Sequence, residues 1–90
     1  MKMYKIALTK EAAKYYGRCD KKTKKLLNGC FEQLKENPRD GVNIKKLHGE
    51  LSGLNRYRVG NLRVVYSIEE AQIVVIVVAI GSRGDIYKKV

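Results

Sequence analysis

The stretch LNRYRVGNLRVVY, residues 54–66, predicts a β-hairpin whose register decides which side chains share a face of the fold. Gly60 and Asn61 stand between two runs rich in β-branched and aromatic residues, which we assign to strands at about 54–59 and 62–68. The pair fits a two-residue primed turn with glycine at its first central position. A loop of this length fixes the register of the two strands.

The predicted register collects three arginines on one face of the hairpin. Arg58 faces Arg63 across the strands, and Arg56 faces Val65. The opposite face carries the predicted core side chains Tyr57, Val59, Leu62, Val64 and Tyr66. Like charges directly opposite destabilise a sheet by up to ~1 kcal/mol, and the hairpin holds no acidic residue. An unfavourable cluster on a well-specified hairpin indicates function; the alternative is three solvated arginines on an open face.

Two helices are predicted between a first strand and the hairpin. Residues 3–8 read as a strand, and Thr9 is a suitable N-cap for a short first helix. Asp20 is a suitable N-cap for a second helix, which continues to about Glu36 and ends before Pro38. Residues 38–53 are expected to form a connection.

The run QIVVIVVAI, residues 72–80, is apolar on both faces and predicts a central strand. The order β-α-α-β-β-β, with the helices segregated from an antiparallel run, indicates an α+β fold. We expect one domain, residues 1–90, with a twisted antiparallel sheet and both helices on one face. The predicted core is Ile6, Leu8, Leu27, Phe31, Leu34, Tyr57, Val64, Tyr66, Val75 and Val77.

The composition favours a polyanionic partner. The chain of 90 residues has 19 Lys and Arg against 9 Asp and Glu, a net charge of +10. Such an excess is typical of proteins that bind nucleic acid, and a basic surface without a partner is the alternative. Cys19 and Cys30 fit no metal-binding spacing, so the sequence predicts neither a metal nor a cofactor.

The N-terminal decapeptide MKMYKIALTK lacks the apolar region of a signal peptide. The longest apolar run, residues 73–80, is about half of what a transmembrane helix needs. We therefore expect a cytoplasmic protein that makes no membrane contact and keeps both thiols reduced.

A further basic element follows the last strand in GSRGDIYKKV, residues 81–90, which contains Arg83 and Tyr87. If the last strand pairs antiparallel with the second hairpin strand, its C-terminal end lies beside Arg63. Guanidinium groups bind phosphate bidentately, and a tyrosine can stack on a base or transfer a proton. The combination predicts a phosphodiester-binding site.

Four segments of the sequence together resemble the RelE family within the RelE/ParE toxin superfamily. They are YKIALTKEAAK (4–14), LKENPRDGVNIKKLHGELSG (34–53), YRVGNLRVVY (57–66) and AIGSRGDIY (79–87). The resemblance implies a compact β-α-α-β-β-β fold. It also implies the toxin of a type II toxin–antitoxin pair that cleaves messenger RNA, often in the ribosomal A site. A separate acidic, RelB-like antitoxin would wrap and silence it in a hetero-oligomeric complex.

The resemblance assigns roles to individual residues. Arg63 matches the phosphate-binding arginine of the family, and Arg83 matches an arginine that stabilises the transition state. Tyr87 matches a tyrosine near the C-terminus that stacks on a base or helps to move a proton. Arg56 and Arg58 stand where some bacterial members carry lysines. Because arginine essentially never loses its proton, no lysine base is assigned at these two positions.

The residue types present favour cleavage by the ribose 2′-hydroxyl over cleavage assisted by metal. The sequence has no cluster of carboxylates, and His48 is its one histidine. Lys45 and Lys46 are predicted as further phosphate contacts, and Tyr87 is the remaining candidate for proton transfer. Three alternatives stay open: a ParE-like gyrase inhibitor, an RNA- or ribosome-binding module without catalysis, and a degenerate toxin.

Overall fold

Two helices cover one face of a five-stranded sheet in the structure, a computed structural model that describes residues 3–82 and 86–88. The strands are β1 (Lys5–Leu8), β2 (Ile44–Lys46), β3 (Asn55–Val59), β4 (Leu62–Glu69) and β5 (Val74–Ser82). The helices are α1 (Lys10–Arg18) and α2 (Lys21–Glu36), with short 3-10 segments at Gly49–Leu51 and Ile86–Lys88. The predicted α+β fold is confirmed. None of the described helices is long and apolar enough to cross a membrane.

Both helices begin at the predicted N-caps. The Thr9 hydroxyl accepts a hydrogen bond from the Ala12 amide at 3.3 Å, and the Asp20 carboxylate accepts one from the Thr23 amide at 2.8 Å. Hydrogen bonding to Thr23 lowers the pKa of the Asp20 carboxyl. These side chains satisfy amides that the first helical turn leaves without partners.

The sheet order is β1-β5-β4-β3-β2, and the sheet is mixed because β1 runs parallel to β5. The prediction of an antiparallel sheet holds for the other pairs and is wrong for β1. The strand β5, which is apolar on both faces, is an interior strand that pairs with β1 on one edge and with β4 on the other; the central strand is β4. The alternation of side chains along β1 determines which of them face the helices. This alternation is the same for a parallel and an antiparallel strand, so it does not predict the direction of β1.

The predicted connection at residues 38–53 contains the edge strand β2, which the sequence analysis missed. Three residues are too short for any periodic signal. Ile44 of β2 pairs with Tyr57, and just before it the Asn43 carbonyl accepts a hydrogen bond from the Arg58 amide at 3.0 Å.

The hairpin adopts the predicted register, with Arg58 opposite Arg63 and Arg56 opposite Val65. Gly60 has a φ of +56°, the left-handed value that the first position of a type II′ turn requires. The arginines therefore lie on the sheet face away from the helices, which we call the arginine face.

The main core lies between the helices and the sheet. Every predicted core residue belongs to it, with Ile6 and Leu8 partly buried and the other eight buried. A smaller apolar cluster, which was not predicted from the sequence, lies on the arginine face. Its buried members are Val65, Ala79 and Ile86, and Leu47, Leu54, Val78 and Tyr87 pack against them.

The cysteines are free thiols with different degrees of burial. Burial raises the pKa of Cys30 to about 12, and it also raises the pKa of the half-buried Cys19. Because the thiolate is the nucleophilic form, neither cysteine is suited to nucleophilic catalysis at neutral pH.

Removing the Tyr66 hydroxyl is expected to destabilise the protein by about 1–2 kcal/mol. This buried hydroxyl donates to the Pro38 carbonyl at 2.7 Å and ties the end of α2 to the sheet. Burial raises the pKa of Tyr66 and keeps it in the donating form. Urea denaturation of Tyr66→Phe measures the loss. Tyr16→Phe removes an exposed hydroxyl bonded to Asn28 and should change stability far less; equal losses would contradict the assignment.

Candidate nucleic-acid interface

The arginine face brings three of the predicted phosphate-binding residues together near the hairpin turn. Arg58 is exposed and lies directly opposite Arg63, which is half-buried. Arg56, also half-buried, lies two positions back along β3 on the same face. The sheet alternation that places Tyr57 in the core turns these side chains outward.

Backbone carbonyls hold two of the guanidinium groups. Arg56 Nη1 donates to the carbonyl of Asn43 at 3.4 Å, and the Arg58 amide donates to the same oxygen. The Arg56 guanidinium therefore lies toward Arg58. Arg63 Nη1 donates to the carbonyl of Leu62 at 3.2 Å. A guanidinium has five donors, so these contacts orient the side chains and leave most donors for a ligand.

No carboxylate within residues 3–82 and 86–88 forms an ion pair with these arginines. The ion pairs in that part of the chain join Lys35 to Glu32 and Arg39 to Glu70. Arg58 and Arg63 border a shallow depression of about 370 Å³, together with the turn residues and Ser82. Repulsion between the facing guanidinium groups is relieved when an anion binds between them.

The C-terminal 3-10 segment packs beside this depression. Gly81 pairs with Arg63, and a Cβ added to Gly81 would lie 3.4 Å from Ile86 Cδ1. Ile86 is fully buried, and Tyr87 packs half-buried against the apolar cluster that includes it. Tyr87 therefore lies on the arginine face, as predicted from the pairing of the last strand. Arg83 lies outside the described residues.

The structure separates the two lysines that were predicted to contact phosphate. Lys45 pairs with Arg56 and lies on the arginine face, whereas Lys46 pairs with Asn55 on the helix-covered face. Lys46 lines a separate cleft there with His48. The two lysines cannot serve one phosphate site, and the sequence could not reveal this because β2 was not predicted.

Sequence reasoning missed Asn43 and Ile86 as residues that shape the interface. Asn43 acts through its backbone carbonyl, which leaves no sequence signal. Ile86 does leave one, since it is an aliphatic residue that directly follows the stretch SRGD, residues 82–85, shortly after a strand. Among the described residues, no group of three or more His, Cys, Asp or Glu side chains could hold a metal ion.

Comparison with known proteins places this geometry in context. A family model described as the ParE toxin of type II toxin–antitoxin systems, parDE, matches residues 6–87. No match was found among curated proteins.

Solved structures of toxin–antitoxin proteins are similar in fold. The RelBE2 toxin–antitoxin complex from Mycobacterium tuberculosis matches with a TM-score of 0.78 and 22% identity, covering 90% of this chain and 99% of that chain. The archaeal RelE–RelB complex from Pyrococcus horikoshii OT3 matches at 0.76 and 25% identity, covering 91% and 97%. The YoeB/ParE toxin from Agrobacterium tumefaciens matches at 0.78 and 20% identity, covering 88% and 98%.

Proposed function

Since the chain belongs to the ParE toxin family of type II toxin–antitoxin systems, within the RelE/ParE superfamily, we propose that this toxin cleaves messenger RNA on the ribosome without a metal ion. The observation that carries the proposal is the pairing of Arg58 with Arg63 at the depression on the arginine face, without a carboxylate partner in the described part of the chain. A phosphodiester bound there supplies the missing counter-charge.

In the proposed reaction the RNA supplies the nucleophile and the arginines stabilise the transition state. The ribose 2′-oxygen forms a bond to the adjacent phosphorus while the bond to the 5′-oxygen breaks, giving a 2′,3′-cyclic phosphate and a 5′-hydroxyl. Arg63 and Arg58 bind the phosphate and align the attack, with Arg56 and Lys45 in support. Arg83, carried over from the family resemblance, stabilises the charge that develops on the phosphate oxygens.

Two protons move in this reaction: solvent water takes up the proton that leaves the 2′-hydroxyl, and solvent water supplies the proton that reaches the 5′-oxygen. General acid–base catalysis contributes typically about 10²–10⁴-fold. The arginines cannot take up a proton at neutral pH, and the buried thiol of Cys30 is unsuitable. So sparse a set of catalytic groups is consistent with a toxin whose substrate is positioned by the ribosome.

Toeprinting on programmed ribosomes tests the proposal directly. We expect the purified chain to produce cuts at fixed positions within the A-site codon, and to retain them when magnesium is lowered while polyamines keep the ribosomes assembled. Binding to ribosomes without cuts would instead support the non-catalytic or degenerate alternatives.

Gyrase inhibition is the second candidate function, and the match to a ParE family model favours it. A supercoiling assay with purified gyrase separates the two. Inhibition of supercoiling together with intact messenger RNA would replace the nuclease proposal.

An acidic, RelB-like antitoxin is the proposed partner. The net charge of +10 and the uncompensated arginine face favour a partner with excess carboxylates. Induction of the toxin alone should arrest growth, and co-expression with a short acidic protein encoded beside it should restore growth and yield a hetero-oligomeric complex. Harmless expression at good yield would contradict this.

Replacing Tyr87 with phenylalanine distinguishes two roles for the ring. The half-buried ring packs against the cluster of Val65, Ala79 and Ile86, so we expect Tyr87→Phe to retain cleavage within a few-fold, as a packing or base-stacking role requires. Single-turnover cleavage on ribosomes measures the effect. A loss of about 10²-fold or more would instead assign proton transfer to the hydroxyl.

A further inference from the structure

Asn55, at the start of β3, is a buried polar residue on the helix-covered face of the sheet. It is 8% exposed, and within the described part of the chain no group forms a hydrogen bond with its side-chain amide. An amide in that state is costly if it is cut off from water. No fully buried side-chain nitrogen or oxygen of the described residues lacks a partner. The Asn55 amide must therefore reach accessible space.

That space is a cleft of about 340 Å³ that Asn55 lines, and we call it the Asn55 cleft. Its volume lies at the lower end of the range for small-molecule sites, about 300–1,000 Å³. Ile68, on the same sheet face, lines the cleft with aliphatic surface. The cleft is separate from the depression on the arginine face, since the two share no lining residue.

The rim of the Asn55 cleft is basic. Lys46 pairs with Asn55 in the sheet register, is exposed and lines the cleft, as does His48. Arg39 also lines it, but Glu70 neutralises that guanidinium. No carboxylate is among the described residues that line the cleft, which leaves Lys46 as its uncompensated charge.

We propose that the Asn55 cleft binds one nucleotide of an RNA strand, with the Asn55 amide on the base edge and Lys46 on the phosphate. A side-chain amide offers a donor and an acceptor together, and a base edge presents both, as in the pairing of asparagine with adenine. A phosphodiester or a carboxylate only accepts hydrogen bonds and would leave the Asn55 oxygen without a partner. Proteins that read RNA commonly hold single bases splayed out of the strand in this way.

This inference rests on the proposed function, in which RNA is the substrate. It adds a contact at the Asn55 cleft to the contact that the arginine face makes with the RNA. Asn55 and Arg58 are three residues apart on β3, roughly 10 Å at the usual rise per residue, and their side chains lie on opposite faces. Lys45 and Lys46 of the edge strand point to opposite faces as well. An RNA strand that leaves the arginine face around this edge passes cationic side chains on both sides.

Nuclear magnetic resonance of the ¹⁵N-labelled full chain tests the proposal with adenosine 5′-monophosphate as the probe. We expect the mononucleotide to shift the Asn55 side-chain NH₂ signals together with the Lys46 backbone amide. Inorganic phosphate at the same concentration should shift the Asn55 NH₂ signals far less, because it can reach Lys46 but has no base edge to pair with both the NH₂ group and the oxygen of the amide.

Three variants extend the test. Lys46→Gln should weaken mononucleotide binding at the cleft by roughly fivefold, the size expected for an exposed charge contact. Lys10→Gln makes the same charge change at an exposed lysine of α1 that does not line the cleft, and it should leave the dissociation constant read at Asn55 unchanged. Asn55→Leu should abolish binding at the cleft, and Lys46→Gln keeps the test decisive if Asn55→Leu does not fold.

Several results would overturn the proposal. One is a mononucleotide titration that moves signals near Arg63 and Gly81 while those of Asn55 stay fixed. Another is equal weakening by Lys10→Gln and Lys46→Gln. A glutamate-rich peptide that displaces the mononucleotide from Asn55 at lower concentration would assign the cleft to an acidic protein. Because none of these measurements requires cleavage, failure of the nuclease proposal alone would leave shifts at Asn55 intact.

Discussion

Arg63→Ala is expected to lower the rate of messenger cleavage by about 10²–10³-fold, the loss typical of removing one donor to a developing oxyanion. The contact matters most in the transition state, where charge accumulates on the phosphate oxygens. The same substitution should not lower the melting temperature. Arg63 lies directly opposite Arg58, and separating like charges across a sheet gains up to ~1 kcal/mol.

The combination of lost activity with retained stability is what distinguishes a functional arginine cluster from a structural one. Toeprinting with purified variants gives the rate, and a thermal melt of each variant gives the stability. Arg18→Ala is a matched control, because Arg18 is an exposed arginine at the end of α1. It should cleave at the wild-type rate.

Arg83→Ala should reduce cleavage to a similar extent if the family role carries over to this position. Wild-type rates from both Arg63→Ala and Arg83→Ala would mean that the cluster is not the active site. The three arginines of the hairpin would then be solvated side chains on an open sheet face, and the like-charge pairing would have no catalytic meaning.

Local chemistry explains why the hairpin and the helix starts could be predicted from the sequence. Gly60 supplies the positive φ of the turn, and a two-residue loop leaves one register. Thr9 and Asp20 accept hydrogen bonds from amides three positions ahead of them. Each of these features depends on residues that are close together in the chain, so a short stretch of sequence is enough to predict it.

Features that depend on distant pairing were not predicted. The direction of β1 depends on which edge of β5 remains free, and β2 is three residues long. Lys45 and Lys46 lie on opposite faces because they belong to β2. Since β2 was not predicted, their separation was not predicted either. Asn55 is different, because the predicted strand already placed it on the same face as Tyr57. A polar residue at a core position could therefore have been recognised from the sequence, but the prediction considered only the arginines of this strand.

Ile86→Ala is expected to destabilise the protein by about 2–4 kcal/mol, within the range for deleting a buried isoleucine side chain. Ile86 has no exposed surface and packs on Gly81, Val65 and Ala79. Its loss opens a cavity in the apolar cluster of the arginine face. For a domain of this size each kcal/mol corresponds to about 4–8 °C in melting temperature, so the change is readily measured.

Urea denaturation of Ile86→Ala and of Val42→Ala provides the comparison. Val42 is 99% exposed, so its truncation should leave the unfolding midpoint unchanged. An unchanged midpoint for Ile86→Ala would mean that the C-terminal segment detaches before the rest of the chain unfolds, and faster amide exchange confined to residues 86–88 would then accompany it. A lowered midpoint would mean that the segment folds with the sheet. The arginine face and Tyr87 would then belong to one cooperative unit, and the interface would be in place before a ligand binds.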